Sequence, residues 1–150
     1  MTAIIRPAVM ADAPKLAMLF DGYRVFYKKQ SDQSAAEQFI TDRLRQQDSN
    51  IYVAVPADGD LVGFVQLYPL YSSTRMAKLW LLNDLYVSPG DRGKGISLRL
   101  IERAKQLVTD TGACGMYLET SIDNDIGNKL YPRAGLQLNE DSNFYTWMVE

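Results

Sequence analysis

The sequence contains no histidine and only one cysteine, and these absences exclude several kinds of chemistry. Without histidine there is no Ser-His or Cys-His nucleophile pair, no histidine base and no histidine metal ligand, so hydrolase triads and most zinc sites are excluded. Cys114 cannot form an internal disulfide, and its small and apolar neighbours in TGACGMYLE favour a buried, unreactive thiol. Any catalysis must use carboxylates, tyrosines, lysines and backbone dipoles, and we expect no bound metal.

The chain also lacks an excess of basic residues and a long apolar run. Its net charge is −2, so its overall field does not attract nucleic acid or an anionic membrane surface. No stretch approaches the roughly 18 apolar residues of a membrane span, and the N-terminus has no apolar segment typical of a signal peptide. We therefore expect a cytoplasmic protein that binds neither nucleic acid nor membrane, folded as a single domain over residues 1–150.

Hydrophobic periodicity predicts an α/β (α+β) chain. A short strand at residues 2–8 and two helices, the second capped by Ser34, precede three successive strands that form an antiparallel meander. A helix and the strand GMYLET then form a crossover that makes this strand parallel to the last strand of the meander. A final helix over residues 124–133 leads to two more strand candidates, LQLNE and NFYTWMV. The expected architecture is a mixed central sheet of about seven strands with about four helices.

The segment LYVSPGDRGKGIS joins the third strand of the meander to a helix. A helix N-terminus offers free N–H groups and the positive end of the helix dipole, which suit an anion. Gly93 and Gly95 let an anion approach the main chain, and Arg92 and Lys94 add positive charge. A glycine-rich loop alone is more often a plain turn, and this one fits neither the dinucleotide fingerprint nor the Walker phosphate loop.

The segment instead resembles the coenzyme A loop of the GNAT acyltransferases, in which Arg or Gln is followed by x-x-Gly-x-Gly/Ala. Here the loop reads Arg-Gly-Lys-Gly-Ile-Ser, and Ser97 replaces the usual Gly or Ala. The segment NDIGNKLYPRAGLQL resembles a later motif of the same family, with Asn124 and Tyr131 seven residues apart. Within the superfamily, DGYRVFYKK, NDLYV and FYTWM resemble the Hpa2-like group of histone, protein and polyamine acetyltransferases.

The resemblance implies the GNAT fold and an N-acetyltransferase that uses acetyl-CoA. In this family a primary amine attacks the thioester directly. The main chain around Leu85 and Val87 would hold the pantetheine arm, Asn124 would bind the cofactor arm, and Tyr131 would protonate the leaving thiolate. The implied cofactor-binding residues are Leu85, Tyr86, Val87, Arg92, Gly93, Lys94, Gly95, Ile96, Ser97, Asn124 and Tyr131.

The sequence does not decide which residue is the general base. An ammonium with a pKa of about 10.4 must lose its proton before it attacks. Many family members place Glu where this chain has Asn83. Asp84 is adjacent, but side chains alternate along a regular strand, so it is expected on the opposite face. Glu119, near the carboxyl end of GMYLET, competes with it, and either carboxylate could instead be structural. Asn83 therefore also motivates an alternative, a non-catalytic acyl-CoA-binding or regulatory module.

The acceptor is a small-molecule amine or a lysine side chain on this interpretation. Tyr23 and Tyr27 in the first helix could line an aromatic site for a cationic amine, although their helical spacing suits core packing equally well. Trp147 and its aromatic neighbours could belong to the core or to a dimer interface. The Hpa2-like resemblance favours a homodimer.

Overall fold

The computed structural model describes residues 2–149. Their packing separates two compact units, one that ends at Glu119 and one that begins at Thr120. No helix among these residues is both long and apolar enough to cross a membrane. The single domain over residues 1–150 stays a prediction, and each unit is described by itself below.

The first unit holds a five-stranded sheet and three α-helices. Its elements are β1 (Ile4–Pro7), α1 (Ala13–Phe26), α2 (Gln33–Gln46), β2 (Asn50–Val55), β3 (Gly63–Ser72), β4 (Ala77–Val87), α3 (Ile96–Asp110) and β5 (Met116–Tyr117). The strands lie in chain order; β1 to β4 pair antiparallel, and β5 pairs parallel to β4. The predicted meander and the parallel crossover through α3 are therefore confirmed.

Helices cover both faces of this sheet. The apolar sides of α1 and α2 pack with β2 and β3 around a core that includes Leu16, Ile40, Val53 and Phe64. On the other face α3 lies close to the sheet at Gly63, where a Cβ would stand 3.0 Å from the Tyr86 carbonyl oxygen and 3.4 Å from Leu100. A side chain at residue 63 would therefore crowd the main chain of β4 first and the Leu100 side chain of α3 second.

Asp32, not Ser34, caps α2, so the predicted capping box is wrong. The Asp32 carboxylate accepts a hydrogen bond from the Ala35 amide at 3.1 Å, and the helix begins at Gln33. A short carboxylate can satisfy a free amide of the first turn as well as a hydroxyl can, so sequence alone left two suitable caps two residues apart.

The described part of the second unit, residues 120–149, contains one helix, α4 (Asp125–Arg133), as the sequence predicts. The two strands predicted in LQLNE and NFYTWMV are absent, because residues 134–149 contain no helix or strand. The described sheet has five strands instead of about seven. Phe144 and Trp147 are more than 70% exposed, and aromatic residues favour a strand only where a neighbour packs against them.

Cys114 is exposed, so the expected buried thiol is wrong. It lies in the turn between α3 and the edge strand β5, with its amide donating to the Lys78 carbonyl at 2.8 Å. Small apolar neighbours in the sequence do not bury a residue that lies in a surface turn.

Candidate active site

A β-bulge in β4 gives the site its geometry. Gln66 of β3 pairs with Asp84, but the next residue, Leu67, pairs with Leu82, so Asn83 has no partner of its own. One extra residue reverses the alternation of side chains beyond it. Asp84 therefore shares the α1/α2 side of the sheet with Asn83, and the expectation that the two side chains point to opposite faces is wrong.

The Asp84 carboxyl group is 1% exposed and hydrogen-bonded by neutral groups. Asn83 Nδ2 donates to Oδ1 at 2.7 Å, and the Gln66 side-chain amide donates to Oδ2. Gln66 is itself completely buried, and its Oε1 accepts a hydrogen bond from Ser49 at 2.8 Å. Tyr23 donates to the main-chain oxygen of Asn83 at 2.9 Å, which fixes the bulge against α1.

Burial raises the pKa of Asp84 above its ordinary value of 3.8. Hydrogen bonds from Asn83, Gln66 and Tyr23 act in the opposite direction but are the smaller effects. Burial also raises the pKa of nearby Tyr68, with the charge of Asp84 as the second cause. A carboxylate with a raised pKa is a better proton acceptor near neutral pH than an ordinary aspartate.

A pocket of about 270 Å³ opens onto this carboxyl group. Its walls are mostly aromatic: Phe20 stacks on Phe39 with ring centroids 5.4 Å apart, and Tyr23 meets Tyr27 edge to face at 5.1 Å. The lining residues are Phe20, Tyr23, Arg24, Tyr27, Lys29, Phe39, Tyr68, Asn83 and Asp84. Four residues singled out by sequence, Tyr23, Tyr27, Asn83 and Asp84, are thus brought together.

Beyond the bulge, one edge of β4 is open. Within the described residues, β5 pairs with β4 only through Trp80 and Leu81, so residues 82–87 have a strand partner on the β3 side alone. On that edge the main-chain groups of alternate residues face no strand. Leu85 and Val87, implied by the resemblance to hold the pantetheine arm, lie in this stretch, with Tyr86 between them.

The loop after β4 has a backbone suited to an anion. Gly93 and Gly95 have φ of 78° and 77°, and a Cβ built on either one meets nothing within 4 Å. Gly95 precedes α3, and no side chain caps that helix, so the first-turn amides at Ile96 and Ser97 are left for another acceptor. A phosphate could therefore approach the main chain here.

The two basic side chains of the loop are partly committed to the protein. Arg92 Nε donates to the Val87 carbonyl at 2.9 Å, and its guanidinium lies 5.4 Å from the centroid of the Tyr86 ring. Lys94 pairs with Asp91 at 3.2 Å. Arg92 thus fixes the loop to the end of β4 with one nitrogen and keeps its terminal nitrogens for a ligand. The open glycines, uncapped helix and this arginine fit the diphosphate of coenzyme A.

Asn124 and Tyr131 lie in the second unit. Asn124 caps α4: its Oδ1 accepts from the Gly127 amide at 3.1 Å, and its Nδ2 donates to Thr120 at 2.9 Å. Tyr131 is in the second half of α4, and its main-chain oxygen accepts from the amides of Ala134 and Leu136. Asn124 therefore has a clear structural role, and the roles of both residues toward the cofactor still depend on motif spacing.

Glu119 is exposed, lies two residues beyond the end of β5 and is not part of the pocket lining. Of the two carboxylates proposed as base, only Asp84 is in the aromatic pocket. Sequence analysis missed Gln66 and Lys29. The signal for Gln66 was present, because a lone amide between apolar residues in GFVQLY needs a buried polar partner.

Comparisons with known proteins agree on one family. The model of the Acetyltransferase (GNAT) family matches residues 16–136. The uncharacterized N-acetyltransferase YhfO of Bacillus subtilis (strain 168) is 40% identical over 140 residues, which cover 93% of this chain and 92% of YhfO. A probable acetyltransferase of Haemophilus influenzae (strain ATCC 51907 / DSM 11121 / KW20 / Rd) is 32% identical over 126 residues, covering 81% of this chain and 86% of that protein.

Comparison with solved structures indicates the same family. The crystal structure of a probable acetyltransferase superposes with a TM-score of 0.91 at 35% identity and covers 98% of both chains. The matched family region contains the bulge, the open edge of β4 and the glycine loop. The chain belongs to the GNAT family, has the GNAT fold and is an N-acetyltransferase.

Proposed function

We propose that the protein uses acetyl-CoA to acetylate a primary amine, from a small molecule or a lysine side chain, bound in the aromatic pocket against Asp84. The observation that supports this most directly is the order of features along β4. The bulge directs Asp84 into the pocket, the next residues present an open backbone edge, and the glycine loop follows at once. One strand thus carries an acceptor site and a cofactor site in sequence.

The proposed role of Asp84 is to accept the proton of the incoming ammonium. Its raised pKa brings its basicity closer to that of the amine, and its hydrogen bonds fix its orientation. Asn83 acts through Asp84 by donating to Oδ1 and does not itself accept a proton. Glu119 is the weaker candidate because it is exposed and outside the pocket.

Acetyl-CoA would supply an activated acetyl group, whose carbon–sulfur bond breaks as the amide bond to the acceptor nitrogen forms. The main chain at Leu85 and Val87 would hold the pantetheine arm, and the amides of the 92–97 loop would hold the diphosphate. Tyr131 would donate its hydroxyl proton to the leaving sulfur, and Asn124 would bind the cofactor arm; motif spacing is the support for both.

Coenzyme A release against a panel of polyamines, amino acids, aminoglycosides and lysine peptides tests this function. At least one primary amine should give thiol release that depends on both substrates. Separately, acetyl-CoA at about 100 times its dissociation constant should raise the free energy of unfolding by about 2.7 kcal/mol. Stabilisation without thiol release from any amine would support the non-catalytic acyl-CoA-binding module, and absence of stabilisation would contradict the cofactor assignment.

A homodimer, a cytoplasmic location and membership of the Hpa2-like group stay parts of this proposal. Support for the dimer comes from the exposed apolar side chains of the C-terminal segment, among them Leu138, Phe144 and Trp147. Light scattering of the purified chain should give a mass of twice 16.9 kDa. Trp147→Ser should shift that mass toward the monomer.

A further inference from the structure

We propose that the acceptor is a compact amine that also bears a carboxylate, with its ammonium against Asp84 and its carboxylate against Lys29 at the mouth of the pocket. This inference rests on the proposed function and narrows its acceptor class. It disfavours polyamines and aminoglycosides, which carry several positive charges and no carboxylate.

The two ends of the pocket differ in charge. Asp84 is 1% exposed and forms the deep end. Arg24 and Lys29 belong to the same lining but are more exposed: the Arg24 side chain is 32% exposed, and Lys29 lies at the surface. A ligand that spans the pocket therefore meets a carboxyl group inside and two cationic groups outside, with aromatic walls between them.

The backbone after α1 holds Lys29 at the pocket. α1 ends at Phe26, and Lys28 has a φ of 65°, in the left-handed region that lysine rarely adopts. The Lys28 amide donates to the Val25 carbonyl, and the Lys29 amide donates to the Arg24 carbonyl, each at 2.9 Å. This turn directs the chain back across the end of the helix, so that Lys29 lines the pocket and Lys28 does not.

Of the two basic residues that line the pocket, Lys29 is the one whose charge is available to a ligand. Arg24 donates to the Gln30 carbonyl at 3.0 Å and lies 3.8 Å from the Asp21 carboxylate, so part of its charge is neutralised within the protein. Among residues 2–149, no carboxylate lies within ion-pairing distance of Lys29. A carboxylate on the acceptor would provide that missing partner.

The size of the pocket sets a second limit. Its volume of about 270 Å³ lies just below the range of roughly 300–1,000 Å³ that is typical of small-molecule sites. Such a space suits one aliphatic chain with a charged group at each end. An amino acid with an amine on its side chain has this size and this separation of charges.

The proposal predicts a ligand preference opposite to the one expected from the net charge of the protein. The protein carries −2 overall, and one of its carboxyl groups, Asp84, lies inside the pocket, so electrostatic attraction alone favours a dication over a monocation. L-Lysine and cadaverine differ by one carboxylate, as do L-ornithine and putrescine. The carboxylated member of each pair should bind better despite its lower positive charge.

Titration calorimetry of the full chain with coenzyme A present tests this preference without requiring turnover. L-Lysine should bind about 5- to 10-fold more tightly than cadaverine, the size expected for one well-placed ionic contact. Lys29→Met removes the charge and keeps the stem, so it should abolish the preference, and Lys29→Arg should retain it. Lys28→Met is the matched control. It removes the same charge from the neighbouring residue, whose side chain does not line the pocket.

Equal affinity of the two ligands, or tighter binding of cadaverine, would overturn the inference. So would an equal loss in Lys28→Met and Lys29→Met, since the effect would then be one of general charge. The two proposals fail separately: lysine binding that depends on Lys29 without thiol release from any amine contradicts the enzyme function alone. Thiol release with cadaverine but not with lysine contradicts the acceptor class alone.

Discussion

Asp21 and Asp84 are both almost completely buried, at 3% and 1% exposure, yet their surroundings shift their pKa values in opposite directions. The pKa of Asp21 is lowered, mainly by its hydrogen bond from Ser31. The pKa of Asp84 is raised, mainly by burial. The two carboxyl groups have similarly low solvent exposure but different depths: Asp21 is covered by residues 31–33, which are themselves exposed, whereas Asp84 lies against the completely buried Gln66.

Asp21 fastens the segment between α1 and α2. It accepts hydrogen bonds from Ser31 Oγ at 2.7 Å, from the Asp32 amide at 2.8 Å and from the Gln33 side chain at 3.1 Å, with Arg24 at 3.8 Å. These donors and the nearby cation compensate the charge, so the carboxylate is stable in its ionised form.

Among the residues that the structure describes, Asp84 is contacted by side-chain amides and by no cation, and one side of its surroundings is a pocket. Its ionised form is therefore only partly compensated, which makes it ready to take up a proton. The comparison teaches that low solvent exposure alone does not identify a reactive carboxylate. A buried acid whose charge is left incompletely compensated, beside open space, is the one suited to proton transfer.

The largest expected effect is on turnover. Asp84→Asn should lower kcat by about 10²- to 10⁴-fold, the range for loss of a general base, while coenzyme A binding and circular dichroism stay unchanged. Asp21→Asn, compared per folded molecule, and Glu119→Gln should each stay within about 3-fold of wild type in the same coenzyme A release assay. A rate close to wild type for Asp84→Asn would remove Asp84 as the base.

The next largest effect is on stability, where Asp21→Asn should cost more than Asp84→Asn. Asp21→Asn should lower the free energy of unfolding by about 2–4 kcal/mol at pH 7, because three donors lose a charged acceptor in a buried site. Urea denaturation measures it. Ser31→Ala removes one of those donors and should cost only about 1 kcal/mol; an equal cost for both variants would contradict the central role given to Asp21.

Gln66→Leu tests the hydrogen bond that the Gln66 side-chain amide donates to Asp84. It removes the donor to Asp84 and the acceptor for Ser49, so it should destabilise the protein by about 1–3 kcal/mol. It should also raise the pKa of Asp84 further, which moves the acidic limb of the kcat/KM profile to higher pH. An unshifted limb with a normal loss of stability would show that Gln66 serves packing alone.

The smallest effect is on the pH dependence of stability, to which Asp84 and Asp21 contribute in opposite directions. The raised pKa of Asp84 makes its contribution greatest below pH 3.8 and reduces it by up to about 1.4 kcal/mol per pH unit between 3.8 and the folded-state pKa. The lowered pKa of Asp21 makes its contribution complete above pH 3.8 and lost as the pH falls through the folded-state value.

Urea denaturation from pH 3 to pH 8 separates these contributions. Relative to wild type, Asp84→Asn should gain stability as the pH rises above 3.8, whereas Asp21→Asn should lose stability only as the pH rises toward 3.8 and should then differ from wild type by a constant amount. Parallel curves for wild type and Asp84→Asn would contradict the raised pKa of Asp84.

Sequence analysis predicted the elements whose pattern is local. The helices, the meander and the parallel crossover follow from periodicity and from turn residues, and the glycine loop was identified from the missing Cβ atoms of Gly93 and Gly95. The structure adds that both glycines have positive φ. The C-terminal strands failed because strand formation depends on a neighbour. Phe144 and Trp147 have the composition of a strand in a segment where the structure has none.

The site was predicted as a set of residues but not as an arrangement. Asn83 and Asp84 were identified, yet a regular strand would have separated them, and no local signal marks a bulge that depends on pairing with Gln66. Lys29 was missed for a similar reason, because a lysine after a helix is usually solvated, and its place at the pocket depends on the turn at Lys28.

The extra residue at position 83 also governs how related sequences should be aligned. Upstream of it, even-numbered side chains such as Trp80 and Leu82 face α3; downstream, the even-numbered Asp84 and Tyr86 face α1. A relative with one residue fewer before its DLYV segment would form a regular strand, with its carboxylate directly after the equivalent of Leu82 and still on the α1 side, but with no counterpart of Asn83 beside it. The extra residue therefore places an amide and a carboxylate on the same face of the sheet, where a regular strand would hold two consecutive side chains on opposite faces.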